Sequence, residues 1–364
     1  MKKHEVLGAD PFGRRAAIQR LVYRPSSGER ESAAIRSKGW TDNRDWGAIK
    51  DQLHCTVRRA PEVVVKVSGS RRGRDDDREA ISGVLRYMMY ISRNGRLEMV
   101  DEMDDSIKGH QAVRDTHASW DLDMQRLTSR RGKALHPSFN VIFSMPAHTE
   151  AEKMLSAVQE FACKNFRGHQ YGMVLHTRET DPADDAPEHP HVHVVLRAED
   201  QNGRRIHIRK GTLRGWREAF AVELRARGIE ANATSRAERG KSYKSKRGAE
   251  WHIDKRARAG KGPLSHAMEA RLRVAAKDLE EGNTELKPWE IAMAARRRDV
   301  VRHMRENAAR LREEGDVQLA AEVDNFIDKI PPVDTERRQM QRALVRQVQD
   351  RLRKRTRDMD DKSK

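Results

Sequence analysis

Hydrophobic and polar positions alternate in several short stretches between residues 60 and 210, and this period of two predicts β-strands. The clearest stretches are "EVVVKVS" (62–68), "SFNVIFSMP" (138–146), "YGMVLHT" (171–177) and "HPHVHVVL" (189–196). Between them, apolar residues recur every three or four positions in "AISGVLRYMMYISRNG" and "LRGWREAFAVELRARG", which predicts amphipathic helices that end at Asn94-Gly95 and at Gly228. We therefore expect an α+β fold, an antiparallel-rich sheet with helices on one face.

The pattern changes on either side of this region. Residues 1–60 are rich in arginine and show no sustained periodicity, so we expect a basic, flexible leader there. The α+β domain is expected over 61–240, followed by a basic linker over 241–263. Residues 264–364 are helix formers almost throughout, which predicts a mostly α-helical, basic C-terminal region.

The charge balance indicates an anionic partner. The chain has 73 Lys and Arg against 56 Asp and Glu, a net charge of +17, and nucleic acid is the commonest partner of so basic a protein. No stretch approaches the ~20 apolar residues that cross a bilayer, so we expect no membrane insertion. The N-terminus, "MKKHEVLGADPFGRR", lacks the apolar run of a secretory signal. The chain has only two cysteines, Cys55 and Cys163, which fit a reducing cytoplasm, so we expect a cytoplasmic protein.

Two histidines share one face of the fourth predicted strand. Residues two apart in a strand point the same way, so His191 and His193 lie together while the valines between and after them face the core. Both imidazoles can reach one divalent ion, and His176, at the end of "YGMVLHT", is the candidate third ligand if the two strands run antiparallel. Three neutral imidazoles suit Mn²⁺, Zn²⁺, Co²⁺ or Ni²⁺, whereas Mg²⁺ would need water and phosphate oxygens as well.

The sequence allows two interpretations of the histidine face and two of Glu188, the residue that precedes it. The histidines are either metal ligands or the polar face of a half-buried strand. Glu188 is either a carboxylate that orients a ligand imidazole or one more acid of an acidic loop.

A metal in a strongly basic protein suggests phosphodiester chemistry, with water or a side chain as nucleophile. Tyr87 and Tyr90 share the helix before Asn94-Gly95. Tyr90 lies nearly opposite the apolar stripe and is free to meet a substrate, whereas Tyr87 lies nearer the core face. Tyr243 lies in the basic linker.

Four motifs, in this order, resemble the relaxase/mobilisation nuclease family: "MMYISRNGRLEM", "NVIFSMPAHT", "HPHVHVVL" and "LRARGIEANATSRAERG". The similarity spans residues 60–240, and the motifs resemble those of the branch that contains the T-DNA border endonuclease. These His-hydrophobic-His endonucleases nick one DNA strand at a transfer origin with a tyrosine and a divalent metal.

The resemblance implies a role for each matching residue. Tyr90 would be the nucleophile, His191 and His193 the paired metal ligands and His176 the third ligand. Glu188 stands where the family often has a catalytic acid. Candidate DNA contacts within the motifs are Arg93, Ser144 and Arg239. One departure is the loop "TRETDPADDAPE", which resembles an insertion and places His176 further from the histidine pair than is usual.

The activity implied by the resemblance is metal-dependent transesterification at an origin of transfer, with Mg²⁺ or Mn²⁺ favoured. Tyr90 would form a 5′-phosphotyrosyl link and release a 3′-hydroxyl. The implied partners are single-stranded or supercoiled transfer-origin DNA, relaxosome accessory proteins and a type IV coupling protein, in a bacterial cytoplasm from which the DNA-bound protein is translocated.

Three other functions fit parts of the sequence. A rolling-circle replication initiator uses a similar histidine pair, but its tyrosine typically follows the pair, as Tyr243 does here. A DNA-binding accessory protein would need only the charge. A metal phosphoesterase that uses water would leave no covalent adduct.

Overall fold

The structure is a computed structural model that describes residues 45–362, except 70–76, 123–126, 129–131, 133, 182–187, 244–245, 247 and 284. The chain separates into two compact units, Met1–Lys50 and Asp51–Lys364. Residues 45–50 are the described part of the first unit, so residues 1–44 of the leader expected over 1–60 lie outside the described residues.

Six strands form one antiparallel sheet in the order β1-β4-β6-β5-β2-β3. Their bounds are β1 Val64–Gly69, β2 Met99–Asp101, β3 Ser106–Ile107, β4 Ser138–Ser144, β5 Tyr171–His176 and β6 His191–Arg197. The four strands that alternation predicts are all present. The short pair β2 and β3 was not predicted, because two or three residues are too few to show a period.

Ten helices lie in the part of the chain that the structure describes. They are α1 Trp46–Val57, α2 Asp77–Ile91, α3 His110–Ser119, α4 Ala151–Asn165, α5 Lys210–Ala226, α6 Gly248–Arg258, α7 His266–Glu280, α8 Pro288–Glu313, α9 Val317–Asp328 and α10 Glu336–Lys362.

The larger core fills one face of the sheet, beneath α4 and α5. Val192, Val194 and Leu196 of β6 point into it, as their alternation predicts, and Phe143 of β4 stacks edge-on against Phe161 and Phe220. All are fully buried, so this face anchors β6 and thereby sets which way its histidines point.

The other face of the sheet carries a second, smaller core under α2 and α3. Val174 of β5 and Val195 of β6 pack there against Val84 and Met88 of α2. The α+β fold is confirmed, but the helices occupy both faces and not one. The reason is that β5 and β6 bear apolar residues on both faces, so both must be covered.

Two helices lie where irregular chain was expected. Helix α1 falls within residues 1–60 and α6 within the linker 241–263. Helix α6 lacks a broad apolar stripe and is held instead by buried Asp254, which pairs with Lys246 at 2.5 Å and accepts from the Ser265 backbone N–H at 3.0 Å. Periodicity misses a helix that is held by ion pairs. Residues 204–209, which follow the Asn202-Gly203 turn, form no strand; one antiparallel bridge joins Arg205 to Glu199.

Helices α7 to α10 confirm the mostly helical C-terminal region. Helix α8 buries apolar residues that recur at helical spacing: Val300, Met304, Ala308 and Leu311. No helix of the described chain is both long enough and apolar enough to span a bilayer.

Candidate metal centre and active site

Strand register brings the three candidate ligands together. His191 and His193 share one face of β6, and the antiparallel pairing with β5 sets His176 directly opposite His191. One ligand nitrogen from each of the three imidazoles can be chosen so that all lie within 4.8 Å of one another. The triad lies at the end of the sheet where β5 stops and β6 starts.

The three histidines of the triad are largely shielded from solvent. His176 and His191 are buried and His193 is half-buried. Burial lowers the pKa of His191. Burial, reinforced by the neighbouring His176, His191 and Arg93, lowers the pKa of His193 to about 3. These two imidazoles are therefore neutral near pH 7, which is the form that binds a metal ion.

Each imidazole has an outer partner at Nδ1. His191 Nδ1 donates to the carbonyl of His189 at 3.1 Å. His176 Nδ1 lies 2.8 Å from Asp181 Oδ2. His193 Nδ1 lies 3.0 Å from the hydroxyl of Tyr87. Such outer partners orient a ligand imidazole and select its tautomer.

The three imidazoles fit a divalent ion of the transition series. Nitrogens bound at about 2.0–2.1 Å lie roughly 3–3.5 Å apart, so ligation needs only a modest inward rotation of the rings. One bond must also be released, because His176 Nε2 donates to the backbone carbonyl of Ile91 at 2.7 Å. Bound there, the ion would act as a Lewis acid toward a phosphate oxygen.

The "YISRNG" turn places two more side chains beside the triad. Helix α2 ends at Ile91, and Arg93, Asn94 and Gly95 follow with φ of 50°, 59° and 80°. Buried Ser92 stabilises the turn, since its Oγ accepts from the Gly95 N–H at 3.1 Å. The turn leaves Ile91 with a free carbonyl for His176, which the continuing helix would otherwise use.

Arg93 connects this turn to the acid behind His176. Its Nε and Nη2 donate to the two carboxylate oxygens of Asp181 at 2.8 and 2.7 Å, and these bonds raise the pKa of Arg93 above its ordinary value. Its Cζ lies 5.0 Å from the centre of the Tyr90 ring. Arg93 thus holds a positive charge next to Tyr90 whatever the pH.

The two helix tyrosines occupy different environments. Tyr90 is 59% exposed, as its position off the apolar stripe predicts, and its ring centre lies 6.1 Å from that of Tyr87. Tyr87 is half-buried, and burial, with a smaller contribution from Tyr90, raises the pKa of its phenol to about 12. Tyr87 was expected near the core, but its hydroxyl lies on His193.

Of the remaining predicted site residues, one lies beside the triad and two make no contact with it within the described residues. Ser144 is buried and pairs in register with His191, so it lies beside the triad. Glu188 is exposed and no contact joins it to the triad within the described residues. Arg239 lies 3.6 Å from Glu62, a residue that precedes β1.

Three residues beside the site were not predicted: Tyr87, Asp181 and Lys66. Asp181 follows His176 by five residues in a loop that resembled an insertion, so only its nearness in sequence could have indicated it. Lys66 is exposed on β1, on the same face as the triad, because it pairs with Ile142, which pairs with His193.

Comparisons with known proteins agree with the motifs. Residues 90–228 match the family model of the MobA/VirD2-like nuclease domain of relaxases. A chain from the solved structure "Molecular Basis of Vancomycin Resistance Transfer in Staphylococcus aureus" is similar at 10% identity and a TM-score of 0.28, over 48% of this chain and 99% of that one. No curated protein matches.

The fold is α+β, and the matched stretch includes the site from Tyr90 to His193. Residues 90–228 are therefore similar to the nuclease domain of MobA/VirD2-like relaxases, as the motifs predict.

Proposed function

We propose that the chain is a conjugative relaxase, which nicks one DNA strand at a transfer origin for mobilisation of a plasmid or integrative element through a type IV secretion system. Tyr90 is the nucleophile and His176, His191 and His193 hold the divalent ion, Mg²⁺ or Mn²⁺. We place the nuclease domain over 61–240, ahead of a linker and a helical region that begins at 264.

One observation carries the proposal. Ile91, the residue after Tyr90, gives its carbonyl to His176 Nε2 at 2.7 Å. Before the ion binds and this bond is released, the exposed tyrosine and the histidine triad are therefore joined by one peptide unit and one hydrogen bond. We infer that a phosphate bound at the triad lies within reach of the Tyr90 hydroxyl.

The chain's own groups favour attack by Tyr90. The Arg93 guanidinium lies over the Tyr90 ring, with its Cζ 5.0 Å from the ring centre, so a positive charge stands beside the attacking oxygen's ring. Tyr87, with its pKa near 12, stays a neutral phenol and is the poorer nucleophile. A divalent ion would offset charge on the non-bridging phosphate oxygens.

The step balances without a further reactant. The Tyr90 oxygen forms a bond to phosphorus, and the bond from phosphorus to the 3′ oxygen breaks. The 3′ oxygen leaves as a hydroxyl after taking up a proton, and the 5′ phosphate stays on the tyrosine. One phosphodiester replaces another, so the reverse reaction can rejoin the strand.

DNA would lie along the open part of the triad's face. Exposed Lys66 lies there two strands away from His193, and Ser144 lies beside His191. A lysine at this position is suited to a backbone phosphate. The net charge of +17 supports the same partner.

The test is covalent capture. End-labelled single-stranded DNA that carries the transfer origin is incubated with full-length protein and Mn²⁺, and the product is separated under denaturing conditions. Wild type should give a protease-sensitive adduct and a free 3′-hydroxyl end; Tyr90→Phe, which removes one exposed hydroxyl, should give neither and yet bind DNA normally.

Tyr243→Phe is the matched control, since Tyr243 is also exposed, at 54%. If Tyr243→Phe alone loses the adduct, a replication initiator is the better description. If cutting continues without any adduct, water is the nucleophile and the relaxase proposal fails.

A further inference from the structure

Tyr87 contacts the triad although it lies outside the matched residues 90–228. Its hydroxyl is 3.0 Å from His193 Nδ1, and its ring meets the imidazole edge-on, with centres 6.2 Å apart and planes at 73°. The ring packs against the core under α2 and α3. That core fixes the position of the tyrosine independently of the histidines.

The other two histidines show what an outer partner does here. His189 offers a carbonyl to His191 Nδ1 and Asp181 offers a carboxylate to His176 Nδ1. A carbonyl and an ionised carboxylate only accept, so each Nδ1 carries a proton. Nε2 of His191 then supplies a lone pair, and Nε2 of His176 can do so once its bond to the Ile91 carbonyl is released. Both rings are therefore oriented to bind an ion through Nε2.

His193 is the exception, because its outer partner is a hydroxyl, which can accept or donate. If the Tyr87 hydroxyl donates to Nδ1, the proton of the neutral ring is on Nε2 and that nitrogen cannot bind a metal. If Nδ1–H donates to the Tyr87 oxygen, Nε2 of His193 has the lone pair and can bind the ion. Within the described residues Nε2 of His193 makes no hydrogen bond.

We propose that Tyr87 is a positioning residue that accepts the Nδ1–H of His193 and so fixes Nε2 as the third metal-binding nitrogen. The inference rests on the metal centre of the proposed function. Tyr87 is then neither a ligand nor a nucleophile; it acts through His193. The site uses a carbonyl, a carboxylate and a phenol to select the same tautomer three times.

The first experiment measures metal affinity of the full chain. Mn²⁺ is titrated into wild type, Tyr87→Phe and Tyr171→Phe, and free Mn²⁺ is followed by electron paramagnetic resonance. Loss of an outer partner typically weakens a metal site 10–100-fold, so Tyr87→Phe should raise the Mn²⁺ dissociation constant about that much. Tyr171 is a buried tyrosine on the opposite face of the sheet, and Tyr171→Phe should match wild type.

The adduct assay separates positioning from chemistry. At saturating Mn²⁺ Tyr87→Phe should form the adduct as wild type does, and at limiting Mn²⁺ it should form less. Unchanged Mn²⁺ affinity would overturn the proposal, as would loss of the adduct at every Mn²⁺ concentration. If wild type binds Mn²⁺ more tightly than Tyr87→Phe but never forms an adduct, the proposed function fails and Tyr87 keeps its assigned role.

The second experiment needs no variant of Tyr87. Long-range ¹H–¹⁵N spectra of the Zn²⁺-loaded wild type distinguish bound from protonated ring nitrogens, with the His193 signals assigned by their loss in His193→Ala. We expect His193 to bind Zn²⁺ through Nε2 and to carry a slowly exchanging proton on Nδ1. Binding through Nδ1, or an unprotonated Nδ1, would overturn the inference.

Discussion

Asp181 connects the turn after α2 to the histidine triad, because it contacts both Arg93 and His176. It is buried, it accepts two hydrogen bonds from Arg93, and its Oδ2 lies 2.8 Å from His176 Nδ1. Glu188, which the sequence offers either as an orienting carboxylate or as one more acid of the loop, is exposed. Asp181 is thus buried beside the triad, whereas Glu188 is exposed. Replacing each carboxylate by its amide tests which of the two the site needs.

We predict that Asp181→Asn weakens Mn²⁺ binding about 10–100-fold, because an amide orients His176 less strongly than a carboxylate and leaves Arg93 without its ion pair. Glu188→Gln should bind Mn²⁺ and form the adduct as wild type does. Calorimetric titration with Mn²⁺ gives both affinities. Should Glu188→Gln lose the adduct while Asp181→Asn keeps it, the catalytic role first given to Glu188 stands.

The residues that alternation could predict are those whose position depends on their own strand. His191 and His193 share a face because a strand has a period of two, and His176 follows once the strands are taken as antiparallel. Tyr87 and Asp181 could not be assigned in that way. Tyr87 is 106 positions from His193, and only the packing of α2 on the sheet brings the two together.

At the scale of elements, the end of α2 determines where Tyr90 and Arg93 point. Gly95 has φ of +80°, and a Cβ there would lie 2.3 Å from the backbone carbon of Gly109. Two chain segments therefore touch at this glycine. The Asn94-Gly95 dipeptide predicts the helix end, but the close approach of Gly109 is a tertiary contact that no local pattern reveals.

We predict that Gly95→Ala lowers the free energy of unfolding by about 2–4 kcal/mol, since it combines a left-handed conformation with a backbone clash. Gly168→Ala is the control: its φ is +81°, but the nearest atom to a new Cβ is 3.8 Å away, so only strain of about 1 kcal/mol is expected. Scanning calorimetry measures both. Equal losses would mean that the contact with Gly109 is unimportant.

The C-terminal helices are joined by buried charges as well as by apolar stripes. Glu290 of α8 is 1% exposed and pairs with Arg337 of α10 at 2.6 Å, with Thr335 and the Lys287 N–H as further donors. Burial alone would raise the pKa of Glu290, but these hydrogen bonds outweigh it and lower the pKa to about 2. The charged form is thus favoured by folding.

We predict that this contribution, on the order of 3 kcal/mol, is present above pH 4.5 and is lost as the pH falls from 4.5 toward 2. Stability is lost toward low pH because the pKa of Glu290 is lower in the folded state than in the unfolded state. Glu290→Gln should therefore be less stable than wild type at pH 6, with the difference shrinking at pH 3. Glu306→Gln, an exposed carboxylate on the same helix, should match wild type in thermal unfolding at both pH values.

At the scale of the whole molecule, positive charge extends well beyond the nuclease domain. Helix α10 bears Arg346, Arg351, Arg353 and Lys354, all exposed. An exposed basic helix adds non-specific affinity for DNA without adding sequence preference. The sequence predicted both the helix and its charge, because each is a property of the segment itself.

We predict that a chain ending at residue 240 still forms the adduct but binds single-stranded DNA with a shallower dependence on salt. Each phosphate contact that is lost should reduce the log–log slope by about 0.7. Full-length protein with Arg346, Arg351 and Arg353 changed to Gln should show the same change in slope, measured by fluorescence anisotropy. A folded 1–240 fragment that cannot cut would place part of the catalytic machinery in the C-terminal region.

Strand β1 is an edge of the sheet, with β4 as its only neighbour among the described residues. An edge strand as rich in valine as this one can recruit a strand from another molecule and so begin aggregation. Lys66 lies exposed at its centre, where a charge opposes such pairing. The lysine that faces the proposed path of the DNA therefore also protects the protein from self-association, and a change to valine there would affect solubility before it affected folding.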